Sequence, residues 1–96
     1  MIPKIKELEV PLLRLLAQHS PLTLDECTDK LSTQFNLSVK ERLELMPNGK
    51  CGAMKYRVGW AKANLKREGL VDAVSRGIYT ITQKGWLYLQ THPSNL

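Results

Sequence analysis

The chain has 96 residues, 43% of them hydrophobic and 24% charged, a length and balance that provide one small core and exclude both a second core and extended disorder. The net charge is +5 and it is segregated: Met1–Gly49 holds seven acids and six bases, whereas Lys50–Trp86 holds eight bases and two acids. A basic half set against a near-neutral half favours a polyanion partner over an evenly solvated surface.

Taken in order, Ile5, Leu8, Leu12, Leu13, Leu15 and Leu16 recur at helical spacing and predict a helix over about Lys4–Gln18. Pro11 lacks an amide hydrogen, so that helix is expected to kink there or to restart at Pro11 as a first turn. Thr23 or Ser20 can cap a second helix over Leu24–Phe35, and Thr23 with Glu26 fits a capping box. Leu24, Cys27, Leu31 and Phe35 share one face of it, and Asn36 ends it. Ser38, with Glu41 three residues on, predicts a short helix over Val39–Leu45, followed by a loop over Met46–Gly52.

A helix over Lys55–Glu68 comes next, closed by Gly69, since glycine alone enters the left-handed region without steric cost. Leu70–Val74 and Ile78–Thr82 are rich in β-branched residues and flank the tight turn Ser75-Arg76-Gly77, which makes a hairpin, or wing. Tyr79 is expected on the outside of this wing if Ile78 faces inward. Thr82 caps a last helix running to His92, from which Trp86, Leu87 and Leu89 can return to the core. The expected organisation is therefore a single winged-helix domain over residues 1–92 with a frayed tail over 93–96. The fold class is mainly α with a small β-hairpin (α+β), a winged helix-turn-helix.

Winding Lys55–Glu68 at about 100° per residue gathers Val58, Ala61 and Leu65 into a core-facing stripe. The opposite arc carries Lys55, Tyr56, Gly59, Trp60, Ala63, Lys66 and Arg67, with a small centre and cationic or aromatic flanks, so its backbone can approach a groove while the cations reach phosphates or guanine edges. Trp60 lies at the arc's boundary, where packing on the core edge is the commoner fate of a helix tryptophan and stacking beside a nucleotide is the alternative. The candidate DNA-binding residues are Lys55, Tyr56, Arg57, Trp60, Lys62, Lys66, Arg67 and, at the wing tip, Arg76. The competing reading of each cation is an ordinary solvated side chain.

Cys27 and Cys51 lack the CxxC spacing of a zinc module and read as free thiols, Cys27 facing the core; with no signal peptide in the sequence, a reducing cytoplasm is expected. No apolar run approaches the ~20 residues of a membrane span. His19 and His92 belong to no Ser/His/Asp or HExxH arrangement, no Glu-x-Lys or Gln-x-Lys triplet occurs, and the glycines form no phosphate loop. No catalytic residue, metal site or cofactor is expected.

Five segments in order, PLLRLLAQ from Pro11, LSxxER over Leu37–Arg42, LMPNGK from Leu45, RVGWAxxxLKxEGL from Arg57 and RGIYTITxKG from Arg76, resemble the N-terminal domain of Mrr-type restriction proteins over about Ile2–Leu89. The resemblance implies a winged-helix fold, a recognition helix over Arg57–Leu70 and a wing over Arg76–Thr82. It also implies recognition of modified, typically methylated, duplex DNA on behalf of a PD-(D/E)xK nuclease domain in cis or trans. That nuclease domain is absent from these residues, so the chain itself is expected to be non-catalytic. The alternative is a protein-interaction or dimerisation module, or a small transcriptional regulator, using Trp86, Tyr88 and Leu89 as an apolar patch. A homodimer belongs to that reading; a membrane partner belongs to neither.

Overall fold

A computed structural model describes residues 2–47, 49 and 51–91. The expected tail over 93–96, together with His92 and Lys50, lies outside these residues. In chain order the elements are α1 (Ile5–His19), β1 (Leu22–Thr23), α2 (Leu24–Gln34), α3 (Val39–Leu43), α4 (Ala53–Arg67), β2 (Val71–Ser75), β3 (Ile78–Ile81) and α5 (Gln83–Thr91). The strands form an antiparallel sheet in the order β1-β3-β2, giving an α+β, winged-helix-like fold.

Local chemistry sets most of the boundaries. Thr23 and Glu26 form the expected capping box: the Glu26 amide donates to the Thr23 hydroxyl (3.1 Å) and the Thr23 amide to the Glu26 carboxylate (2.9 Å). Those hydrogen bonds from Thr23 hold the Glu26 carboxyl below its ordinary range. Ser38 and Glu41 repeat the box at α3. Two helices end in Schellman turns. At α2, Asn36 has φ 59°, its amide donates to the Thr33 carbonyl, and the Leu37 amide donates to Ser32. At α4, Gly69 has φ 80°, with Gly69 donating to Lys66 and Leu70 to Leu65.

Several expectations are corrected. The helix does not restart at Pro11: α1 is one helix through it, with Leu8 before the proline and Leu12 and Leu13 after it buried in one core. α3 stops at Leu43 because Leu45 pairs with Gly52 in an isolated bridge, reinforced by the Met46 amide donating to the Cys51 carbonyl and Ala53 to Glu44. The third strand, β1, was not anticipated; it pairs Leu22 with Tyr79 and Thr23 with Ile78.

Helix α4 lies mainly on α1 and α2, with Met54, Val58, Ala61 and Leu65 buried among Leu8, Leu12, Leu16 and Leu31. The anticipated stripe is therefore the core face, lengthened by Ala53 and Met54 at its start. Thr82 links the far end of α4 to α5: its hydroxyl donates to the Gly69 carbonyl (2.6 Å) and accepts from the Gly85 amide (3.0 Å). On α5 the expected inward contact holds for Leu89 and fails for Trp86 and Leu87. Trp86 (47% exposed) and Leu87 (53%) face outward, whereas Gly85 is buried and Tyr88 and Leu89 pack on the core. Alternation resolves the wing in the same way: Ile81 is buried, so Tyr79, two residues before it, shares the inner face, and Tyr79 is the residue packed against the core.

Candidate nucleic-acid interface

With its stripe buried, α4 turns Lys55, Tyr56, Gly59, Trp60, Ala63, Lys66 and Arg67 away from the core. Lys55, Tyr56, Gly59, Trp60 and Ala63, with Leu24 of α2 and Cys51 of the preceding loop, line an open groove of about 340 Å³. Trp60 is 48% exposed and does not seal the core edge; Tyr56 meets it edge-on, with ring centroids 6.4 Å apart and planes at 65°. Edge-to-face packing holds two large rings beside each other on a solvent-facing surface without burying either. A β-carbon built on Gly59 would meet the Leu24 side chain at an ordinary 3.7 Å, so this glycine widens the groove floor rather than being forced by packing.

The candidate cations separate into three groups. Lys66 on α4 and Arg76 at the turn of the wing are exposed, and neither forms an ion pair or side-chain hydrogen bond among the described residues. Lys55 pairs with Asp25 at 2.8 Å and Arg67 donates to the Asn64 side chain at 3.0 Å, contacts made at the exposed surface. An exposed pair contributes about 0–1 kcal/mol, so a phosphate can compete for Lys55 at little cost. Asn64 in turn donates to Glu9 of α1 (2.9 Å), which fixes the side of Arg67 nearest the helix bundle.

Two candidates serve the scaffold. Arg57 is half-buried, and its Nη1 donates to the backbone carbonyls of Ile2 and Pro3, both at 3.0 Å. It holds the N-terminal segment on α4 and stands away from the groove. Charged donors of this kind contribute about 1.5–3 kcal/mol, so Arg57→Ala is expected to lower folding stability by that amount in denaturant titration. Lys62 places its ammonium 4.8 Å from the Tyr79 ring centroid, joining α4 to the wing in a cation–π contact. One turn further along the same flank, Lys66 continues the line from helix to wing.

The two thiols differ as their positions require. Burial pushes Cys27 up to about 11, with the nearby Glu26 charge adding to the shift, whereas Cys51 is partly exposed on the groove wall. A maleimide at pH about 8 is therefore expected to label Cys51 and spare Cys27, since the thiolate is the reacting form. Peptide mapping by mass spectrometry checks the selectivity.

The exposed cations and half-exposed aromatics of α4, set beside a protruding hairpin, define a winged-helix-like module with one cationic face. The chain belongs to the Mrr N-terminal domain family, whose model matches residues 6–91. It is similar to the type IV methyl-directed restriction enzyme EcoKMrr of Escherichia coli (strain K12), 28% identical over 93 residues, which cover 96% of this chain and 30% of the relative. The chain thus spans about a third of that relative's length. No solved structure matches. Among the described residues, no helix is long and apolar enough to cross a membrane.

Proposed function

We propose that this domain binds duplex DNA, with the exposed face of α4 in the major groove and the wing on the adjacent backbone, and that it favours duplexes carrying base methyl groups. The observation that carries the reading is the apolar groove of Tyr56, Gly59, Trp60 and Leu24 set between the cations Lys55 and Lys66 on one helix face. The cations supply phosphate affinity, which any duplex satisfies. The groove supplies a place for apolar substituents on base edges, which protrude into the major groove. The similarity to an E. coli restriction enzyme that is methyl-directed supports the same preference. Cleavage falls to a nuclease domain outside these residues, in cis or in trans, with the present domain as the non-catalytic reader.

Burying one methyl group is worth about 0.8 kcal/mol, so a single methylated base should tighten binding by about fourfold, and two should tighten it by about fifteenfold if they act independently. Fluorescence anisotropy on duplexes identical except for cytosine or adenine methylation tests this. The expected result is a methyl preference that Trp60→Ala removes while general affinity persists. Equal affinity of the unmodified protein for every duplex would overturn the methyl preference, and absence of binding would overturn DNA recognition altogether.

A further inference from the structure

Gly59 stands in the middle of α4, where glycine is less favourable than alanine because it loses more backbone freedom on folding. Neither conformation nor packing demands it there. Gly69 and Gly77 have left-handed φ angles of 80° and 78°, and Gly85 is pressed against the Leu70 carbonyl. Gly59 is helical, and the nearest atom of another element that a β-carbon would meet is Cδ2 of Leu24, at an ordinary 3.7 Å. That carbon would stabilise the helix, yet it would stand in the groove and touch the wall that α2 contributes. The fold gains from a side chain at this position, and the groove loses by it.

We infer that Gly59 determines specificity on the α4 face: the space left by its missing side chain, in the groove lined by Leu24, Trp60 and Ala63, is the seat of a methyl group carried on a base edge. The inference rests on the duplex-binding reading above and adds to it the residue that sets the size limit. Leu24 and Ala63 are apolar, so a methyl group seated beside them is buried favourably and needs no hydrogen-bond partner. Alanine at position 59 would put its own methyl in that seat, and the base methyl would lose its place of burial. Lys55 and Lys66 would keep their reach to phosphates, so binding to unmodified duplex would persist. One added carbon thus acts in opposite directions, raising stability and lowering discrimination, which a glycine kept only for the fold would not do.

The test compares the 96-residue chain with its Gly59→Ala variant on three duplexes of one sequence: unmodified, with two 5-methylcytosines, and with two N6-methyladenines. Fluorescence anisotropy gives the affinities and calorimetry the melting temperatures. The expected result is a parent that prefers at least one methylated duplex by about fifteenfold, and a variant whose preference falls below about threefold. The loss should lie in affinity for the methylated duplex, with affinity for the unmodified one changed by less than about twofold. The melting temperature of Gly59→Ala should rise by about 4 °C. A variant that keeps the parent's preference would overturn the inference and leave the methyl reading standing. An equal loss of affinity for all three duplexes would overturn it too, because Gly59 would then serve close approach of the backbone to any duplex. A lower melting temperature would show that the fold itself needs the glycine, and would also overturn it. A parent without any methyl preference would overturn the methyl reading and the inference together.

Discussion

Replacing Lys66 and Arg76 together with glutamate is expected to weaken duplex binding by at least about 100-fold at low salt, roughly 2.7 kcal/mol, while leaving the fold intact. Each substitution removes one cation from the phosphate path and sets an anion in its place, so attraction is lost and repulsion added at two points. Neither side chain holds a partner among the described residues, and both are exposed, so the scaffold loses nothing. The slope of log affinity against log salt should flatten by about one unit for each cation that touched a phosphate. Lys6→Glu, at an exposed position of α1, makes an equal change of charge per site away from the face and serves as control. A double variant that binds within about threefold of the parent, a difference below 1 kcal/mol, would show that α4 and the wing are not the contact surface.

The largest effect on stability is expected at Gly85. A β-carbon there would collide with the Leu70 carbonyl oxygen and lie 2.6 Å from Cγ1 of Ile81. The carbonyl is fixed because it also accepts the Thr82 amide at 3.0 Å, so the clash cannot be relieved by moving a flexible side chain. Overpacking of this severity costs about 3 kcal/mol, at the upper end of the usual range. For a domain of this size, Gly85→Ala should lower the melting temperature by about 12–24 °C. Calorimetry showing a change of under about 4 °C, less than 1 kcal/mol, would contradict the close seating of α5 on Leu70 and on Ile81 of β3.

The same contacts explain which parts of the fold were legible in the sequence. Capping boxes and left-handed stops are local, so Thr23 with Glu26, Ser38 with Glu41, Asn36 and Gly69 announced their roles within a few residues. The core stripe of Val58, Ala61 and Leu65 was legible because a buried helix face repeats at helical spacing. The start of α4 was not, because Gly52 caps it without a side-chain hydrogen bond and so carries no polar signature. Strand β1 escaped for another reason: two residues cannot display alternation, and it exists only through pairing with β3.

Candidate site residues divided along the same line. Helical projection placed Tyr56, Gly59, Trp60 and Lys66 on one outward face, since angle around a helix follows from spacing. It could not show that Arg57 holds the carbonyls of Ile2 and Pro3, more than fifty positions earlier, or that Lys62 rests on Tyr79 of the wing. Leu24 and Cys51 belong to the groove although neither lies on α4. The bridge between Leu45 and Gly52 shapes the loop that carries Cys51, and the cap at Thr23 sets the start of the helix that carries Leu24. The sequence signals for these two positions were in the loop and in the cap, not in the basic helix.

Amide chemical-shift mapping during titration of a short duplex tests the central claim most directly. The expected shifts are concentrated in Lys55–Arg67 and around Arg76 and weaken together as salt is raised, with α1 and α5 unaffected. Shifts confined to the α1/α5 surface, or none at any salt concentration, would contradict it.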